Sequence, residues 1–234
     1  MYKEDHRFDT PKDENAKIWR YTDIDRYTDM LESCTLYFCR GERLQEEDPY
    51  EGSYLSFELL RTAVPEKAIE FARKMKSCGY PITVNCWHLN MFESLAMWRL
   101  YGSVVAIQST VGRLIKALAK CPCDVRVGKV HYITPGEDPF RSNSMDVFTP
   151  WLHKHRCFEY EQELRAIIWD AAEGVEREPD GSVRAPVDVG DLVECVYVAP
   201  RAEPHIRDDV ERMNSTHGIE IPVQQSKLAR APLY

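Results

Sequence analysis

The sequence predicts an α+β domain built on a mixed or antiparallel central sheet flanked by helices. Three observations lead there. Short β-branched and aromatic runs alternate with segments whose apolar residues recur at helical spacing. Long helical crossovers do not separate all of the strands, which argues against a doubly wound parallel sheet. The composition is globular, with 44% apolar and 29% charged residues in a chain of 234. A chain this long buries ~70% of the surface that its unfolded form exposes, so it needs neither disulfide nor metal to fold. We read a mobile polar lead-in over 1–16 and a single α+β domain over 17–234.

The elements follow in chain order. Residues 18–21 are an apolar-aromatic run, read as a strand. Thr22 is a plausible N-cap, and Ile24, Tyr27, Met30 and Leu31 then share one helix face. Residues 35–39 (T-L-Y-F-C) read as a strand, and the acidic stretch 41–51 as a loop ending in D-P-Y-E-G. A helix is expected over 65–78, with Pro65 at its start and Gly79 past its end. Residues 82–87 read as a strand, 93–100 as a helix, and 104–108 as a strand after which Thr110 caps a helix over 111–119.

Residues 125–133 alternate as one strand, and 135–145 read as a polar loop. A segment that starts helical is expected over 148–158, carrying the basic run 153–156, and then a strong strand over 164–169. A turn-rich arm over 174–186, a strand over 192–198, a helix over 203–215 and a strand over 219–224 complete the chain.

The formal net charge of -8 argues against broad binding to duplex DNA or to an anionic membrane, since both need a basic surface. No apolar run approaches the ~18 residues of a membrane span. The start of the chain lacks an apolar leader segment, and the eight scattered cysteines suit a reduced, cytoplasmic setting. Cys121 and Cys123 form C-P-C without a second close pair at zinc-finger spacing, so no metal is predicted.

Four segments hold the chemically interesting side chains. In Trp19-Arg20-Tyr21 an arginine fork beside aromatic rings can hold a phosphate or carboxylate, or it is an aromatic strand with a surface arginine. In Asp48-Pro49-Tyr50-Glu51-Gly52 the carboxylates bind a cation or cap a helix. Trp87, Trp98 and Tyr101 line an aromatic pocket or form a core cluster; Trp98 and Tyr101 are three apart and share a helix face.

The fourth segment, 154–165, is the most informative. Glu161, Glu163 and Arg165 alternate, so a strand would present all three on one face. Two carboxylates so close raise each other's pKa unless a cation offsets them. The alternatives are a solvated strand edge held by ion pairs or a working cluster of charge. No glycine-rich phosphate loop, H-E-x-x-H or G-x-S-x-G occurs in the chain.

W-R-Y-T-D, E-E-D-P-Y-E-G, V-N-C-W-H, L-A-M-W-R-L-Y-G and H-K-H-R-C-F-E-Y-E-Q-E-L-R, in this order, resemble the bacterial domain-of-unknown-function family DUF2971 over about residues 18–170. The sequence departs from that family's pattern at Glu47, where Asn is usual, and at Trp87-His88, where Phe-Ser is usual. The layout is also similar to ADP-ribosyltransferase-type domains, which use a split antiparallel sheet to bind NAD.

That second resemblance implies an NAD-consuming transferase or glycohydrolase, such as a bacterial toxin or phage-defence effector. It implies Arg20 at the NAD phosphates, Tyr21 or Trp98 against the nicotinamide, and Tyr101 and Arg165 as further binding residues. Glu163 becomes the catalytic carboxylate, with Glu161 beside it near an acceptor of unknown identity. Ser109-Thr110 would be a loose counterpart of the mid-domain Ser/Thr segment. NAD enters as a substrate, so the expected partner is a small-molecule nucleotide. The alternatives are a non-catalytic binding module, partner-binding or antitoxin-like, and a nuclease acting through Lys154, His155 and the glutamates.

Overall fold

A computed structural model describes residues 1–53, 66, 70, 73, 74, 82–135, 137–138, 146–169 and 177–228. The architecture is α+β, with helices and a mixed, mostly antiparallel sheet. The chain divides into two compact units. The first comprises Met1–Pro11, Tyr37–Cys86 and Pro122–Ala185, and the second Lys12–Leu36, Trp87–Cys121 and Pro186–Tyr234.

In the second unit, β1 (Lys17–Thr22) lies antiparallel to β4 (Val105–Thr110) and to the end of β3 (Ile82–Leu89). β4 also pairs antiparallel with β10 (Cys195–Val198), and β10 pairs parallel with β11 (Val223–Gln225). Helix α1 (Ile24–Ser33) starts at Asp23, whose carboxylate accepts the Arg26 N–H at 2.7 Å. Thr22, expected as that cap, is instead the buried last residue of β1, because the strand runs one residue further than its aromatic signal.

Helix α2 (Leu95–Leu100) is capped by Ser94, and α3 (Val111–Leu118) by Thr110 as expected. The single turn α4 (Val189–Leu192) takes Leu192, the first residue of the strand expected over 192–198, and the strand itself begins at Cys195. α5 (His205–Thr216) packs Val210 and Asn214 inward. Trp19, Tyr21, Met97, Trp98 and Ala106 form a core cluster in this unit.

In the first unit, β2 (Thr35–Arg40) pairs antiparallel with β3, while β5 (Val125–Lys129) pairs antiparallel with β8 (Glu163–Trp169). β8 also neighbours β3, and β9 (Val183–Pro186) neighbours β2. The strand expected over 125–133 breaks after Lys129. Its remainder, β6 (His131–Ile133), leaves β8 and pairs parallel with β7 (His153–His155). Phe8, Ile82, Val84, Phe148, Trp151 and Ile167 are buried together. Residues 1–11, read as part of a mobile lead-in, supply Phe8 to that cluster, and Thr10 Oγ1 donates to the Val127 carbonyl.

In the whole segment 148–158 the expected helical start is the 3-10 turn Thr149–Leu152, after which β7 carries the basic run through His155 and a second 3-10 turn covers Arg156–Glu161. Parallel pairing with β6 competes successfully with helical spacing there. Glu66, Glu70, Arg73 and Lys74 are helical; the rest of the helix expected over 65–78, most of the loop over 135–145 and the start of the arm over 174–186 lie outside the described residues. Among the described residues no helix is long and apolar enough to cross a membrane.

Candidate functional site: a buried glutamate cluster

Two of the sequence segments converge in the first unit on one group of charges. Glu51 comes from the D-P-Y-E-G turn, Lys154 from β7, Glu161 from the end of the 3-10 turn, and Glu163 and Arg165 from β8. All five are buried, Glu51 and Arg165 at 0% exposure.

The backbone explains the convergence. Gln162 adopts a left-handed conformation (φ 45), which ends the 3-10 turn and opens β8. Glu161 is therefore not on the strand as expected, yet the reversal still aims it where Glu163 points. Lys154 Nζ donates to Glu161 at 2.5 Å and to Glu163 at 3.0 Å. Arg165 donates through Nε to Glu163 Oε2 at 2.7 Å and through Nη2 to Glu51 Oε1 at 2.5 Å. Its Nη1 donates to the Trp151 carbonyl at 2.7 Å.

The turn carrying Glu51 is fixed from both sides. Asp48 accepts the Tyr50 N–H at 3.0 Å and the His155 N–H at 3.1 Å, so it ties the turn to β7 rather than capping a helix. Gly52 has φ +69, and a Cβ there would stand 2.3 Å from the Trp151 ring. Only glycine meets both conditions.

Two cations face three glutamates, and the titration follows from that imbalance. Burial, reinforced by a hydrogen bond to Glu163, pushes Glu161 up to about 8. Burial also opposes ionisation of Glu163, but Arg165 and Lys154 outweigh it and hold this carboxyl well below the usual range. Glu51 is raised by burial over the opposition of Arg165. Its Oε2 is buried with no hydrogen-bond partner among the described residues. With Glu161 protonated and the other two glutamates ionised, the cluster is neutral, which is the state a low-dielectric site favours. Lys154 stays charged because Glu163 and Glu51 overcome its desolvation.

Around this core, Tyr132 Oη accepts the Glu163 N–H at 2.8 Å, and the Lys154 ammonium sits 4.6 Å from the Phe158 ring centroid. Burial raises the Cys86 thiol well above its ordinary value, so it is no ready nucleophile. The sequence drew attention to Glu161, Glu163 and Arg165 as a set. Lys154 stood out only in a basic run, and Glu51 only in a turn; no local signal joined them.

The remaining expected site residues belong to the second unit. Tyr21 and Trp98 meet edge to face at 5.0 Å, and Tyr21 and Tyr101 stack at 6.5 Å. Tyr21 Oη accepts the Ser94 N–H at 2.7 Å, and burial raises its pKa to about 12. Arg20, half-buried, follows Trp19 and precedes Tyr21 on β1, so strand alternation sends it to the opposite face from both rings. Trp87 is buried. Ser109 Oγ donates to the Leu192 carbonyl at 2.5 Å and Thr110 caps α3, so this pair has a local structural role.

Cys121 and Cys123 are buried, and among the described residues no group of three or more His, Cys, Asp or Glu side chains is arranged to hold a metal ion. No protein-family model, curated protein or solved structure matches the chain.

Proposed function

We propose that the chain is an NAD-consuming enzyme of the ADP-ribosyltransferase or NAD-glycohydrolase type, with Glu163 as its catalytic carboxylate and Glu161 as that residue's acid–base partner. One observation carries the reading: two adjoining buried carboxyls whose proton affinities are driven apart, Glu161 up to about 8 and Glu163 well down. Such divergence marks acid and base roles in catalytic pairs. Buried ion clusters rarely repay their desolvation in stability, so a cluster of five buried ionisable side chains asks for another reason to exist.

In the proposed reaction the bond between ribose C1′ and the nicotinamide nitrogen breaks, and nicotinamide leaves with the bonding pair. Positive charge develops on the ribose, and the Glu163 carboxylate stabilises it more in the transition state than in the ground state. The acceptor, water or a nucleophilic group, bonds to C1′ and gives its proton to Glu161. That step needs Glu161 ionised, so turnover should rise as pH increases through about 8. The layout similar to ADP-ribosyltransferase-type domains supports the same reading.

The test is nicotinamide release from NAD by wild type, Glu163→Gln and Glu161→Gln, with folding checked by circular dichroism. Release by wild type that is abolished in Glu163→Gln supports the proposal. A folded wild type that neither binds nor cleaves NAD overturns it.

A second reading, a non-catalytic binding module, draws on a different observation. Glu163 Oε1 already accepts from Lys154 and Arg165 at 3.0 Å each, and Oε2 from Arg165. A ribose hydroxyl would have to displace one of these bonds. The nuclease reading is weakened because Lys154, its expected cation, is 3% exposed and neutralised by glutamates.

A further inference from the structure

We propose that a groove in the second unit is a binding site for an amphipathic anion, an apolar chain or ring ending in one carboxylate or phosphate. It is independent of the glutamate cluster and does not rest on the NAD reading. The groove has a volume of about 530 Å3, within the range of small-molecule sites. α2, the turn after β10, α5 and Leu228 form its walls, with Leu95, Trp98, Val104 and Ile206 giving an apolar lining.

Two features make it more than an apolar depression. Trp98 is a fixed wall: its Nε1–H donates to Glu93 Oε2 at 3.0 Å, and Tyr21 packs against it edge to face. A rigid aromatic wall binds an apolar body without losing much rotamer freedom.

The second feature is charge. Arg99 and Arg201 both line the groove, both are exposed, and neither has a carboxylate partner among the described residues. Glu203 is the lining's single carboxylate. In a chain with 38 acidic and 30 basic residues, two guanidiniums with no carboxylate partner among the described residues, beside an apolar lining, are a local reversal of the overall charge. An anionic head suits the arginines, whose planar forks pair with carboxylate and phosphate alike, and an apolar body suits the lining. A hydrophobic cation would meet the arginines, and a small hydrophilic anion would leave the lining empty.

The test is calorimetric titration of the full chain with decanoate and with decyl phosphate, kept below their micelle concentrations. Decyltrimethylammonium and decanol serve as comparison probes. Saturable 1:1 binding of one or both anions is expected, and the stronger of the two identifies the head group. Arg99→Ala combined with Arg201→Ala should weaken anion binding by about tenfold or more and leave decanol unchanged. Leu95→Asp, at an exposed position, should weaken anions and decanol together. Equal binding of the cation, no binding of either anion, or an unchanged affinity in the double arginine variant would overturn the proposal.

Discussion

Glu161→Gln should remove a specific part of the pH dependence of stability. In the folded chain Glu161 holds its proton up to about 8, whereas the ordinary value is 4.5. A carboxyl whose folded pKa is raised contributes stability that is fully present below pH ~4.5 and is lost as pH rises through about 8, because the folded state binds more protons across that window. At ~1.4 kcal/mol per pH unit, the whole window caps the effect at ~5 kcal/mol. Relaxation and the effective dielectric of real interiors bring the expected loss between pH 5.5 and 8.5 to about 1–3 kcal/mol.

Glutamine keeps the geometry. Its carbonyl oxygen can accept from Lys154 as Glu161 Oε2 does, and its amide can donate to Glu163 where the acid proton does. The variant should therefore match wild type near pH 5.5 and exceed it near pH 8.5. Urea unfolding midpoints at pH 5.5, 7 and 8.5, followed by circular dichroism, read the difference directly. Parallel curves for the two proteins would refute the protonated-acid assignment of Glu161.

Other outcomes follow from the same geometry. Arg165→Met leaves Glu51 and Glu163 buried against Lys154 alone, and should cost about 3–5 kcal/mol in a denaturation experiment. Adding Glu163→Gln to it should recover part of that loss, whereas strict additivity of the two changes would show that they do not interact. Gly52→Ala should destabilise by about 2–4 kcal/mol, since it combines overpacking against Trp151 with a left-handed backbone; a neutral effect on the melting temperature would argue against the close contact. Asp23→Ala removes the α1 cap and should cost about 1 kcal/mol, while Asp23→Asn should be nearly silent by the same measurement.

The second unit's secondary structure was legible because its signals are local. β1 and β4 are short β-branched and aromatic runs, and Thr110 announces α3 one residue before it begins. The second unit's misses are boundaries, at Thr22 and Leu192, whereas the first unit's lie where long-range pairing decides. Residues 125–133 alternate smoothly, yet nothing in that alternation says that the last three will leave β8 and pair with β7. The basic run over 153–156 has helical neighbours in sequence but a strand partner in space. In both places a ladder formed with residues about twenty positions away overrides local spacing.

The glutamate cluster shows the same division within one site. Alternation brought out Glu161, Glu163 and Arg165, and the prediction that they converge holds, although by a left-handed turn at Gln162 rather than by a continuous strand. Glu51 could not be joined to them, because its link is spatial: Arg165 reaches it across 114 positions of chain. What the turn's sequence did carry is the device that places it. Asp48 anchors to the His155 amide, and Gly52 allows the Trp151 ring to lie against the backbone. The same Trp151 offers its carbonyl to Arg165. A tight turn, an aromatic ring and a guanidinium are thus locked to one another, beside a Glu161 carboxyl that burial and its hydrogen bond to Glu163 keep protonated up to about 8.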